Sequence, residues 1–451
     1  MTRKMKDSGV EWIDKIPEDW TVINFKYVFS LKKGLSITKE NLLENGIKVI
    51  SYGQIHSKYN SGVCLNDYLI RHVGEQYLES DGQCLASKND FIFGDTSEDL
   101  DGVGNCAYID SDESIFAGYH TIIVSPLHLL DSKYFAYLYK TDCWRSQLRS
   151  RVSGIKLFSI TQKILKQTTV IMPSKEERCN IVKYLDKRCN KIDETIEKEN
   201  LVIQKLKEYK QSAITEAVTK GLNPDAPMKD SGVEWIGEIP EHWSIVKLKQ
   251  VFTFRKGLTI TKENLVEKGI KVISYGQIHS KNNNGISIDD SLIRYVGNEY
   301  LETGKQSLVL KNDFIFADTS EDLDGAGNCV FVNLDEEIFA GYHTIIIAPI
   351  KRDIMQDWRY FAYLYKTDCW RSQIRSRVSG IKLFSITQKI LKQTEVIMPD
   401  SKEQQEIIDY LDKKCSAIDK LISNKEKVIE KLTEYKKSLI YECVTGKREV
   451  Q

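Results

Sequence analysis

The sequence is written twice. KDSGVEWI, at Lys6–Ile13, returns at Lys229–Ile236, an offset of 223 residues. The same offset carries GIKVISYGQIHSK from Gly46–Lys58 to Gly269–Lys281, DTSEDLDG from Asp95–Gly102 to Asp318–Gly325, and AGYHTII from Ala117–Ile123 to Ala340–Ile346. Ile350–Arg359 then replaces the shorter Leu127–Lys133, and the offset becomes 226. Beyond that point Tyr134–Pro173 and Tyr360–Pro399 differ only at Leu148/Ile374 and Thr169/Glu395. A period this long is no solenoid repeat; a whole module has been duplicated.

Each module opens with short β-type runs (IKVISY, DFIFGD, HTIIVSP) between Gly and Asn turns, interrupted by a helical stretch near Ser132–Ser150. It then carries a helix start: Pro173-Ser174 with Glu177, and Pro399-Asp400 with Glu403, the capping-box spacing. Neither Gly nor Pro follows until Gly221 and Gly446. At ~1.5 Å per residue each stretch predicts a rod of roughly 65–70 Å.

The rods have heptad seams. The first reads Val182, Leu185, Cys189, Ile192, Ile196, Glu199, Ile203, Leu206, Lys210, Ala213 and Ala217. The second reads Ile408, Leu411, Cys415, Ile418, Ile422, Lys425, Ile429, Leu432, Lys436, Leu439 and Cys443. Such seams need partners, and each supplies the other. Helix one leads from domain one to domain two and helix two runs back, so the pair should be antiparallel. The expected fold is α+β: two sheet-rich domains in pseudo-two-fold tandem, joined by an antiparallel coiled coil. The boundaries read 1–173 and 222–399 for the domains with linker, 174–221 and 400–447 for the helices, and 448–451 for a tail. Glu199 and Lys425, polar at mid-seam, are expected to fix register; the alternative is two solvated side chains whose stems line the seam.

The order of KDSGVEWI…IPEDW (IPEHW in the copy), IMPSKEE (IMPDSKE) and a long helix with YLDK resembles the specificity subunits of type I restriction–modification systems. That resemblance covers nearly the whole chain. It implies a non-catalytic subunit that reads a bipartite double-stranded DNA site through two target-recognition domains. It also implies two modification subunits as partners, and two restriction subunits in the full complex. S-adenosylmethionine, ATP and Mg would serve those partners, with no cofactor or metal here. The paired helices would set the spacing between half-sites, one to two turns of B-DNA at ~34 Å per turn. Because the two domains are near copies, the expected site is an interrupted palindrome or near-palindrome. Divergence concentrates in Tyr59–Ser87 against Asn282–Leu310. The other reading is a stand-alone DNA-binding, scaffold or decoy protein.

The residues themselves offer no catalytic set. Pro-Pro is absent, and with it the amino-methylation motif Asp/Asn-Pro-Pro-Tyr; so is G-x-x-x-x-G-K followed by Ser or Thr. Ten cysteines without a C-x-x-C pair fit neither a disulfide framework nor a zinc site. No apolar run suits a membrane span or signal peptide, so the expected compartment is the cytoplasm.

Basic and acidic residues balance at 64 each, so DNA contact must be local. Lys140–Lys166 carries seven cations against Asp142 alone, whereas Asp95–Glu113 carries seven acids and no cation. Candidate phosphate contacts are Arg145, Arg149, Arg151 and Lys156, with Arg371, Arg375, Arg377 and Lys382 in the copy. Salt bridges from a solvated helix face to the acidic loop would explain the same charges. Lys33 and Lys39, with Lys256 and Lys262, flank a Gly turn and suit phosphate. Candidate base readers are Tyr52, Gln54, His56 and Lys58, with Tyr275, Gln277, His279 and Lys281, then Thr96 and Ser97 with Thr319 and Ser320. Ordinary turn residues are the alternative. His120 and His343 fit a hydrogen-bonded core position as well as a DNA contact.

Overall fold

A computed structural model describes residues 3–128, 130–154, 156–354, 357–380 and 382–450; residues 355 and 356 of the inserted segment lie outside these. The chain divides into two compact units that each take part of both long helices. One holds the residues up to Glu199 with those from Glu426 on, and the other is Asn200–Lys425.

In the first unit, Cys106–Tyr108, Phe91–Gly94, Thr121–Pro126 and Phe29–Lys33 form an antiparallel sheet in that order. Strand alternation sends Phe91 and Phe93 to one face and Ile92 to the other, and both faces are covered. Behind the phenylalanines lies the helix Lys133–Tyr139, buried from Tyr134 to Tyr139. Its Tyr139 ring lies 5.1 Å from Phe91 and 4.3 Å from Trp144. Over Ile92 packs a smaller sheet, Arg71–Val73, Ile47–Ile50, Ile115–Ala117 and Leu85–Ala86, with its one parallel pairing in the middle. The helical stretch expected near Ser132–Ser150 is two helices. Thr141 turns extended after Lys140, its hydroxyl donating to Leu138 O at 2.6 Å, and Asp142–Arg149 starts anew.

The second unit repeats these elements, with the edge strand Leu265–Val266 added to its smaller sheet. The inserted segment also changes its core. Arg352 joins Arg255 on the fully buried Asp313, which also accepts from Leu310 N as the equivalent Asp90 accepts from Ser87 N.

The long helices run Lys175–Lys220 and Ser401–Val444. Ser174 and Glu177 exchange the two capping-box bonds; Asp400 accepts from Glu403 N at 2.8 Å. The Glu177 carboxylate also receives the buried Trp20 indole N–H at 3.0 Å, and Glu403 that of Trp243 at 2.8 Å. Gly446, at φ 71, ends the second helix against Pro17 and Trp20; Gly221, at φ 75, ends the first against Trp243. The IPE-x-W motif thus seats each sheet domain where one long helix begins and the other ends. The Asp of each YLDK makes a further tie, Asp186 to Tyr137 and Asp412 to Tyr363, both at 2.6 Å.

No residue of either heptad seam is exposed. In the first unit Leu185, Cys189 and Ile192 share a core with Leu439, Ile440 and Cys443. In the second, Ile214, Ala217 and Val218 share one with Ile408, Leu411 and Cys415. Low numbers meet high ones, so the helices pack antiparallel within each unit. Lys436 binds Asp193 at 2.6 Å in the first unit and Lys210 binds Asp419 at 2.6 Å in the second, an ion pair repeated between modules.

Candidate nucleic-acid interface

The segment picked for base reading forms the short helix Tyr52–Ile55, and much of its polarity is spent on holding itself. Gln54 Oε1 accepts from Ser51 N at 3.1 Å, as Gln277 does from Ser274 N at 3.2 Å. His56 ties the strand at Thr96 to the turn at Asn105: Nε2 lies 2.8 Å from Thr96 O and Nδ1 3.2 Å from Asn105 Nδ2. With Asn105 donating to Nδ1, the ring proton sits on Nε2 and points at the carbonyl. His279 repeats the arrangement with Thr319 O and Asn328. Ser97 and Ser320 are buried, each hydroxyl donating to a carbonyl, of Asp99 and Asp322, at 2.7 Å. Thr96 and Thr319 are half-buried in two-residue strands. Tyr52, His56 and Ser97 wall a cavity of about 500 Å³ whose rim carries Glu98, Asp99 and Asp101, a poor environment for phosphate.

The basic helix is likewise committed inward. Arg145 donates from Nε to Tyr139 O at 2.8 Å and from a terminal nitrogen to Asp101 O at 3.1 Å. Arg149 donates to Leu100 O at 2.9 Å and to Asp142 at 2.8 Å. Arg371 and Arg375 do the same with Tyr365, Asp324, Leu323 and Asp368. These arginines share a helix face, and that face pins the acidic loop, mainly through its backbone carbonyls. Lys140 and Lys366 reach back to the carbonyls of Ser61 and Asn284. Burial, reinforced by neighbouring cations, pushes both ammonium groups down to about 8.

Solvent-facing cations remain: Lys33, Lys39, Lys58, Arg151 and Lys156 in one module, Lys256, Lys262, Lys281, Arg377 and Lys382 in the other. Lys58 lies over the Tyr59 ring, which stacks on Tyr68 at 5.1 Å. In the copy these tyrosines are Asn282 and Ser291, joined by a 3.0 Å hydrogen bond.

Lys256 opens onto a groove of about 590 Å³ with Thr259, Asp318, His343, Gln388 and Lys389 along it. His343 is no core residue: 57% of its side chain is exposed, and its backbone is left-handed at φ 54. Its Nδ1 lies 3.2 Å from Asp318 Oδ1. His120 has the same φ and the same 3.2 Å partner in Asp95. The sequence reading singled out neither Asn105 nor Gln388, and counted Lys389 only within the basic stretch. Only the repetition of Gln162-Lys163 as Gln388-Lys389 after a Ser-Ile-Thr turn hinted at the last two.

Among the described residues no helix is long and apolar enough to cross a membrane, and no group of His, Cys, Asp and Glu is placed to hold a metal ion.

A family model described as the type I restriction modification DNA specificity domain matches residues 17–205 and again 240–432. The chain is 23% identical to the type I restriction enzyme MjaVIII specificity subunit of Methanocaldococcus jannaschii, over 97% of this chain and 95% of that protein. It is 22% identical to the EcoKI specificity subunit of Escherichia coli, over 93% and 88%. Among solved structures it resembles a chain from work on complex assembly and conformational transition of the type I R-M system, with TM-score 0.68 at 15% identity, covering 96% of this chain and 99% of that one. The HsdS subunit of Thermoanaerobacter tengcongensis gives TM-score 0.50 at 15% identity, with 96% and 98% covered. At these identities the structural likeness concerns the fold.

Proposed function

The chain belongs to the type I restriction–modification DNA specificity family, and from that premise we propose that it is the specificity subunit of such a complex, working in the cytoplasm. It reads a bipartite double-stranded DNA site, an interrupted palindrome or near-palindrome, and performs no chemistry. It scaffolds two modification subunits, joined in the full complex by two restriction subunits; those partners bring S-adenosylmethionine, ATP and Mg.

The observation that carries this reading is the shared use of the helices. Each sheet domain holds the start of one long helix and the end of the other through Trp20 with Glu177 and Gly446, and through Trp243 with Glu403 and Gly221. Each of two closely similar readers is thereby joined to both long helices, as a two-part site of fixed spacing requires. Exposed lysines and Arg151 and Arg377 supply phosphate contacts that position the readers, and the groove along His343 supplies base contacts. Glu199 and Lys425 fix the register of the seam.

The test is reconstitution with the modification subunit encoded beside this chain, then selection of bound duplexes from a randomised pool. Two half-sites at fixed spacing are expected. Failure to copurify with such a subunit, or absence of enrichment, overturns the proposal and leaves a stand-alone scaffold or decoy.

A further inference from the structure

We propose that His120 and His343 are the base-reading side chains of the two modules, each accepting a hydrogen bond from an exocyclic amino group, adenine N6 or cytosine N4, on the major-groove edge of its half-site. The inference rests on the reading of the chain as a DNA specificity subunit.

The backbone comes first. Both histidines sit in the left-handed region at φ 54, where a non-glycine residue is strained. Glycine takes that conformation freely. A side chain 57–59% exposed adds little to a core that would offset the strain. What the strained residue gains at this point of the fold is an exposed imidazole, held in the second module over a groove.

The ring is also held in one orientation. Asp318 Oδ1 lies 3.2 Å from His343 Nδ1, so the carboxylate accepts the Nδ1 proton, and in the neutral imidazole the lone pair is on Nε2. Tyr275 and Tyr342 stand edge-on to it with ring centroids at 5.5 and 6.1 Å, and Tyr52 and Tyr119 flank His120 at 5.8 and 6.2 Å. Among the described residues Nε2 takes no hydrogen bond, in contrast to His56 and His279, whose nitrogens are both engaged. The result is an oriented acceptor, and in the major groove the donors are the amino groups of adenine and cytosine.

The surroundings suit DNA. Lys256 and Lys389 line the same groove and serve phosphates, and Gln388 adds the amide that pairs with adenine. Asp95 and Asp318 are positioning residues, acting only through the imidazole.

The test uses the full chain with its modification partner and the duplex selection above, run on wild type, His120→Gly and His343→Gly. Glycine keeps the left-handed backbone, and unchanged urea midpoints verify folding. Each variant is expected to lose preference at one amino-bearing base pair in one half-site, the same base pair in both, with affinity lower by about tenfold. Replacing that base with an analogue lacking the amino group should weaken wild type about tenfold and the glycine variant not at all. The identity of the base separates adenine from cytosine. A variant that keeps every base preference but binds with a shallower salt dependence marks a phosphate contact and overturns the proposal. So does a variant indistinguishable from wild type. A wild-type complex that enriches no sequence overturns the DNA reading itself, and this inference with it.

Discussion

Lys140 and Lys366 show how a single charged side chain can mislead in one dimension. In sequence they begin the most basic stretch of each module; in the fold they are drawn inward, and burial lowers their ammonium groups to about 8. An unfolded lysine titrates near 10.4. Below pH 8 both states carry the proton, and the folded state bears the cost of the buried charge. As the pH rises past 8 the folded protein releases it while the unfolded chain does not, so these groups add stability with rising pH. Urea midpoints between pH 7.5 and 9.5 should therefore climb more steeply in wild type than in Lys140→Met or Lys366→Met. The arginines were no more legible. Arg145 and Arg149 direct most of their hydrogen bonds at backbone carbonyls, and a carbonyl leaves no trace in a residue pattern. Nor does the left-handed turn at His120, which rests on backbone geometry. Cap residues lay in plain view, since Ser174, Glu177 and Asp400 act on neighbours three positions away.

At the scale of elements, heptad spacing was the clearest signal, because burial on a helix follows from periodicity alone. Every seam position read from it is at least half-buried. The ion pairs flanking the seam were visible only as ingredients, Lys210 and Lys436 on it, Asp193 and Asp419 one place beside it. Partly exposed pairs of this kind contribute below about 1 kcal/mol each. A double-mutant cycle on Asp193→Lys and Lys436→Asp should show each reversal lowering the urea midpoint and the combined swap recovering most of the loss. Glu199→Lys should likewise lower stability by about 1 kcal/mol; no change would remove it from the register. The break at Thr141 was not foreseen. Neither Gly nor Pro marks it; the weak helix formers Thr141 and Asp142 stand at the cap and first turn of the second helix, and both YFAYLY and Trp144 are thereby buried against one sheet.

For the molecule as a whole, the duplication bears directly on the proposed function. His120, Asp95, Gln162 and Lys163 recur as His343, Asp318, Gln388 and Lys389, so on that proposal the two modules carry the same reading chemistry. Selection from a random pool should return two matching half-sites in inverted orientation; unlike half-sites would assign base choice to Tyr59–Ser87 and Asn282–Leu310, where the Tyr59–Tyr68 stack gives way to Asn282 and Ser291. The division of the helices also bears on how the protein is made. The first unit closes only with residues from Glu426 on, synthesised 227 positions after Glu199. At ~5–20 residues per second the ribosome needs roughly 10–45 s to supply them. Throughout that interval Leu185, Cys189 and Ile192 lack their covering segment, Leu439 to Cys443. The nascent chain thus carries a sticky stripe it cannot yet hide, and ribosome-bound intermediates stalled before Glu426 should be captured by chaperones that released full-length protein escapes.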